Sequence, residues 1–271
     1  MTPNAIKTVG VIGLGKMGEP MARHLVAKSF SVCGYDIDAA ANKRVEKHGA
    51  RIVDSAAAVA QSSDLVIVVA AFEKQVEEVL FGGNGVVTAA KKGQIVAVAA
   101  TISPTAMRSI GERLGQNGLI ALDIPICRGE PAAEAGKLLI VGGGDAVAFE
   151  RCRPPMSTFA DAIHYLGPVG CGQVGKMVNN LILWACISAN YEGLKIGEKL
   201  GVDRDAMRTM LLDSSGQNWA LQTQIDRWPM PWAEKDMMIV LAEADAARMA
   251  LPLCGVIKEV IKGVKIERGE K

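Results

Sequence analysis

Short apolar runs alternate with amphipathic stretches through the first half of the chain, and amphipathic stretches alone fill the second half. Residues 9–12 (VGVI) read as a buried strand, and Met17, Met21 and Leu25 then recur every fourth position, as the inner face of a helix does. Apolar runs at 31–35, 64–69 and 94–98 predict three more strands, and weaker runs at 119–122, 138–141 and 163–166 predict a further three. Ser103 followed by Pro104 is a helix-start signal, a capping hydroxyl before a residue whose fixed φ suits the first turn. Past the glycine-rich stretch 167–172 the strand signals stop. One helical pattern runs from 173 to 200 and ends at Gly201, with shorter ones at 204–213, 233–248 and 252–262. The pattern predicts an α/β protein: a doubly wound N-terminal domain over residues 1–168, then an all-α C-terminal domain over 169–271, joined by a long interdomain helix.

The turn after the first strand carries the most specific chemistry. Gly13, Gly15 and Gly18 stand at G-x-G-x-x-G spacing between strand and helix. Gly13 allows the tight turn, Gly15 lets backbone amides approach a pyrophosphate, and Gly18 lets helix and strand pack closely. With Leu14, Lys16 and Met17 between them, these residues form a candidate dinucleotide-binding loop at a helix N-terminus, and the domain is expected to be Rossmann-like. Asp36 closes the second strand, where a carboxylate takes hydrogen bonds from the ribose hydroxyls and repels a 2′-phosphate. No Lys or Arg follows before Lys43, so NAD is favoured over NADP. Ligands of such sheets lie off the carboxyl ends of the strands, which nominates Ala70, Ala71, Thr101 and Asp123 as lining residues.

Composition narrows the class. A net charge of +1 gives no reason to expect nucleic acid or an anionic membrane as partner. No charged-then-apolar leader precedes the first strand, and the longest apolar run, 181–189, is too short to span a bilayer. The six cysteines show no C-x-x-C pairing and the three histidines are scattered, so neither a metal site nor a disulfide framework is expected, and a cytoplasmic location is.

Lys176 and Asn180 stand four apart in the first turns of the long helix and therefore share a face. A lysine there meets the positive end of the helix dipole, which favours proton exchange with an alcohol. Asn180 can hydrogen-bond the reacting oxygen. The separated motifs together resemble the β-hydroxyacid dehydrogenase family, typified by 3-hydroxyisobutyrate dehydrogenase and tartronate semialdehyde reductase. Gly13-Leu14-Gly15-Lys16-Met17-Gly18 with Pro20-Met21-Ala22 resembles its N-terminal fingerprint, and Asp123-Ile124-Pro125 through Gly129, Ala132 and Gly136 its substrate-binding segment. Gly170-Cys171-Gly172 with Lys176, Asn179 and Asn180 resembles its catalytic motif, and Lys235-Asp236 its Lys-Asp pair.

The resemblance implies hydride transfer between NAD and the β-carbon alcohol of a small 3-hydroxy acid. It makes Lys176 the proton donor or acceptor, with Asn180 holding the substrate, and puts Thr101, Ala70 and Ala71 against the cofactor. Lys235 is implied to close over cofactor and substrate, and Asp236 to be structural. Cys127-Arg128-Gly129 stands where relatives read Ser-Gly-Gly and hold the substrate carboxylate. Arg128 could there grip a larger or more highly charged acid bidentately, or pack on Glu130 at the surface. A second departure is the compact run Trp228-Pro229-Met230-Pro231-Trp232. An imine reductase on the same fold and a non-catalytic NAD-binding scaffold are the alternatives; the retained Lys176 argues against the first, and Lys176, Asn180 and Lys235 together against the second. The long helix is apolar on several sides, so a homodimer or homotetramer is expected.

Overall fold

A computed structural model describes residues 5–224 and 229–270. The chain divides into two compact units, Met1–Lys176 and Met177–Lys271.

The first unit alternates strand and helix. Its elements are β1 (Thr8–Ile12), α1 (Gly18–Ala27), β2 (Ser31–Tyr35), α2 (Ala39–Glu46), β3 (Arg51–Ile52), α3 (Ala56–Ser62), β4 (Leu65–Val68) and α4 (Glu73–Phe81). There follow β5 (Ile95–Val98), α5 (Pro104–Gln116), β6 (Ile120–Asp123), β7 (Ile126–Cys127), α6 (Gly129–Glu134), β8 (Leu138–Gly144), α7 (Ala146–Met156) and β9 (Ala160–Tyr165). The strands β3-β2-β1-β4-β5-β6 lie side by side, all parallel, in the doubly wound order of dinucleotide-binding domains. The continuous apolar runs are explained by burial on both faces. Val9, Val11, Leu65, Ile67, Ile95 and Ala97 point into one core. Their alternates Ile12, Val66, Val68, Val96 and Val98 point into the other. The start signal at α5 is realised: the Ser103 hydroxyl accepts from the Ala106 N–H, with Pro104 in the first turn.

Beyond β6 the sheet changes direction. β8 runs antiparallel to β6, and β9 runs parallel to β8. Pairing slips between Leu138↔Ala160 and Leu139↔Ala162, which makes Asp161 the extra residue of a β-bulge. β3 and β7, at two residues each, are too short to leave a periodic signal in sequence.

The long helix, α8, spans Cys171–Lys199. It is followed by α9 (Arg204–Leu212), α10 (Trp219–Thr223), α11 (Ala233–Ala246) and α12 (Pro252–Glu267). In the second unit Trp184 and Ile187 pack with Met237 and Val240 of α11 and Cys254, Ile257, Ile261 and Val264 of α12. α12 outruns its predicted end at 262 because Val264 is buried and Lys265, also buried, pairs with Glu234 at 2.6 Å. Of the run 228–232, Trp228 lies outside the described residues, Met230 is buried and Trp232 is exposed. No helix among the described residues is long and apolar enough to cross a membrane.

Candidate active site

Strand register sets the site. Tyr35, Ile12, Val68, Val98 and Asp123 pair in one row across β2, β1, β4, β5 and β6. The residues that follow them therefore leave the sheet at one edge: Asp36, the glycine turn, Ala70 with Ala71, and Thr101. Unit one thus brings its predicted cofactor residues together.

At the turn, Gly13 has φ +93°, and a β-carbon there would lie 2.0 Å from the Val69 carbonyl oxygen. A β-carbon on Gly18 would lie 1.8 Å from the Gly13 carbonyl oxygen, whereas one on Gly15 would meet nothing within 4 Å. Open space over the second glycine, beside a helix start with no side-chain cap, fits a pyrophosphate held by main-chain amides. Lys16 is exposed and pairs with Glu130 at 3.1 Å, while Leu14 is buried and Met17 half-buried.

Asp36 reaches back over that turn. Its Oδ2 accepts from the Leu14 N–H at 2.6 Å and its Oδ1 from the Asp38 N–H at 2.8 Å. Arg44, the nearest arginine in sequence, is paired with Glu19 at 2.7 Å. The end of β2 thus carries the carboxylate that the sequence nominates for ribose hydroxyls. The Ala70–Ala71 loop is pinned by a residue sequence reading passed over: Gln75 Oε1 accepts from the N–H groups of Ala71 and Phe72, both at 3.1 Å.

Asp123 plays a different part from the lining role its position suggested. It is fully buried, and its carboxylate caps the start of α8: Oδ1 accepts from the Gly170 N–H at 2.9 Å and Oδ2 from the Gln173 N–H at 2.8 Å. Burial pushes its carboxyl above the usual carboxylate range, and these backbone amides partly offset that. Lys176, three residues beyond Gln173, is half-buried.

In the second unit Asn180 is buried and its amide is hydrogen-bonded at both ends. Its Nδ2 donates to Asp236 Oδ2 at 2.9 Å, and its Oδ1 accepts from Asn179 Nδ2 at 3.0 Å. The same Asp236 oxygen accepts from Trp184 Nε1 at 3.0 Å. The acid of the Lys-Asp pair thus holds the Asn180 amide, which gives its structural role a definite content. Lys235 lies 5.7 Å from the centre of the Trp232 ring, a cation–π distance.

Cys127 is buried on β7 and Gly129 has φ +72°. Arg128 has φ +81°, and its guanidinium contacts the Lys137 carbonyl oxygen at 3.0 Å and Asp161 at 2.5 Å. The packing on Glu130 is not made; Glu130 is the partner of Lys16. Among the described residues no group of three or more His, Cys, Asp or Glu could hold a metal ion.

Residues 8–167 match the model of the NAD binding domain of 6-phosphogluconate dehydrogenase. Residues 170–271 match that described as the NAD-binding region of NADP-dependent 3-hydroxyisobutyrate dehydrogenase. The chain is 31% identical to a 3-hydroxyisobutyrate dehydrogenase of Pseudomonas aeruginosa, over 90% of this chain and 88% of that protein. It is 28% identical to a 2-(hydroxymethyl)glutarate dehydrogenase of Eubacterium barkeri, over 94% and 88% respectively. A Mycobacterium tuberculosis 3-hydroxyisobutyrate dehydrogenase solved with L-serine superimposes with a TM-score of 0.86 at 26% identity, covering 96% of this chain and 94% of that one.

Proposed function

The chain belongs to the β-hydroxyacid dehydrogenase family and is a NAD-dependent dehydrogenase of hydroxy acids, and from that premise we propose that it oxidises the β-carbon alcohol of a small 3-hydroxy acid, or reduces the corresponding carbonyl, with Lys176 moving the proton. Bound NAD supplies the hydride acceptor at the carboxyl edge of the parallel sheet. The turn at residues 13–18 holds its pyrophosphate, Asp36 its ribose hydroxyls, and Ala70, Ala71 and Thr101 the remainder. Asn180, one helical turn past Lys176, holds the substrate oxygen through an amide whose orientation Asp236 fixes. The segment Cys127-Arg128-Gly129 binds the substrate carboxylate, with Arg128 Nη1 held by Asp161. Relatives named for 3-hydroxyisobutyrate and for 2-(hydroxymethyl)glutarate, both 3-hydroxy acids, support this substrate class.

The observation that carries the reading is the anchoring of the Lys176-bearing helix start to the end of β6, in the row from which the dinucleotide residues emerge. Formation of reduced nicotinamide from NAD across 3-hydroxy mono- and dicarboxylic acids tests it, with Lys176→Ala alongside. The variant is expected to lose about 10²–10⁴ of the rate while still binding NAD, the usual worth of a positioned acid–base group. Full activity in Lys176→Ala would overturn the assignment.

We further propose a homodimer or homotetramer. Val178, Ile182 and Ile196 are 45%, 58% and 58% exposed along one stripe of α8, an apolar line suited to burial against a second copy. Light scattering is expected to give a dimeric or larger mass; a monomer would refute it.

A further inference from the structure

The start of α8 is tied to the sheet by more than its chain connection. Asp123, at the end of β6, takes the N–H groups of Gly170 and Gln173 on separate carboxylate oxygens. The space for that carboxylate is cut into the surrounding backbone. A β-carbon on Gly143 would lie 2.6 Å from Oδ1, and one on Gly172 would lie 2.7 Å from Oδ2. Gln173, itself 1% exposed, continues the tie in the other direction. Its Nε2 donates to the Ala100 carbonyl at 2.8 Å and its Oε1 accepts from the Ile102 N–H at 3.2 Å. The two residues flanking Thr101 are thereby bonded to a side chain one turn ahead of Lys176.

Resting on the reading of Lys176 as the proton-transfer group, we propose that Asp123 and Gln173 are positioning residues for the reaction: together they fix the distance between the Lys176 turn of α8 and the Thr101 loop after β5. Neither side chain touches substrate or cofactor in this scheme. The carboxylate sets the axial position of the helix start, because the N–H groups of Gly170 and Gln173, three residues apart, are bound on one rigid fork. The amide sets its lateral position, because a donor and an acceptor engage the two sides of the same loop. A device of this kind is needed where a helix delivers an acid–base group to a ligand held by strands, since a misplacement of about 1 Å at the reacting atoms costs on the order of 10²-fold in rate.

Gln173→Met keeps the length and burial of the side chain and removes only the tie to the loop; Asp123→Asn keeps the shape of the cap and replaces one acceptor oxygen by a donor. In each folded variant, kcat for the best 3-hydroxy acid is expected to fall by about 10–100-fold while the dissociation constant of NAD and the KM of the acid change by no more than about threefold. With substrate deuterated at the carbinol carbon, the isotope effect on kcat is expected to rise, since the chemical step becomes slower than product release. A merely structural role would instead lower thermal stability and active fraction together, leaving kcat per active site and the isotope effect unchanged, and that result overturns the proposal. Should Asp123→Asn fail to fold, Gln173→Met decides alone. If Lys176→Ala is inactive while Gln173→Met is unaltered, the positioning inference fails and the assignment of Lys176 stands. If Lys176→Ala is fully active, both fall.

Discussion

Removing the indole N–H of Trp184 tests whether the Asn180 support exists in solution. Trp184 is 8% exposed, and its Nε1 donates to the Asp236 oxygen that also receives Asn180. Trp184→Phe deletes a hydrogen bond to a carboxylate, worth about 1.5–3 kcal/mol. It also removes a net two buried ring carbons, which at about 0.8 kcal/mol each adds about 2 kcal/mol. The single variant is therefore expected to lose roughly 3–5 kcal/mol. In an Asp236→Leu background the bond is already absent, and the same change should cost only the packing part of about 2 kcal/mol. The coupling between the two sites is then about 1.5–3 kcal/mol. Urea unfolding followed by far-ultraviolet circular dichroism measures it without relying on fluorescence, to which four tryptophans contribute. Turnover supplies an independent reading: Trp184→Phe leaves the Asn180–Asp236 bond in place and keeps activity, whereas Asp236→Leu releases the Asn180 amide and loses it. A coupling below about 0.5 kcal/mol, the scatter expected of independent sites, would refute the arrangement.

Asp36→Ser removes the acceptor for ribose hydroxyls and the negative charge opposing a 2′-phosphate. The ratio of kcat/KM with NAD to that with NADP is expected to fall at least about tenfold, and an unchanged ratio would show that Asp36 does not choose the cofactor. Arg128→Gly relieves a left-handed conformation costing about 1–2 kcal/mol and gives up an exposed ion pair worth at most about 1 kcal/mol; stability should hold or rise in thermal melts, and the KM of the hydroxy acid should not change. A large rise in KM would return Arg128 to the substrate. Burial raises the Asp123 carboxyl above its ordinary 3.8, so the native state binds that proton more tightly than the unfolded chain; this stabilisation is complete below 3.8 and is lost as pH rises through the native value. Urea melts should therefore favour the wild type over Asp123→Asn more strongly near pH 4 than at pH 7, and a difference flat with pH would contradict the shift.

Much of the fold was legible because both faces of the parallel sheet are covered, which makes β1, β4 and β5 uninterrupted apolar runs. Gly13 and Gly18 were legible because their reasons are local, a backbone that no side chain fits. Tertiary partners were not. Arg128 reads in sequence as a candidate ligand anchor, and only the fold shows that Asp161 at the bulge in β9 takes its Nη1 and that its backbone is left-handed. Gln173 carries no signal beyond its place in the glycine-rich approach, since its partners at Ala100 and Ile102 lie more than seventy positions away. Asp236 reads as one half of a Lys-Asp pair, and only folding shows that it answers to Asn180 and Trp184. α10, at five residues, is little more than one helical turn, too short for an apolar position to recur more than once.

The bulge at Asp161 bears on how the chain tolerates changes in length. It divides β9 into a part before the extra residue and a part after it, where Ala162, Ile163, His164 and Tyr165 pair in unbroken step with Leu139, Ile140, Val141 and Gly142. Only residues 166–170 separate that second part from the first turn of α8. A residue inserted or lost ahead of the bulge can be taken up there, as one already is. The same change after Ala162 shifts the pairing by one step, about 3.3 Å, and carries the helix start with it. Length variation in this strand is thus harmless on one side of Asp161 and ruinous on the other.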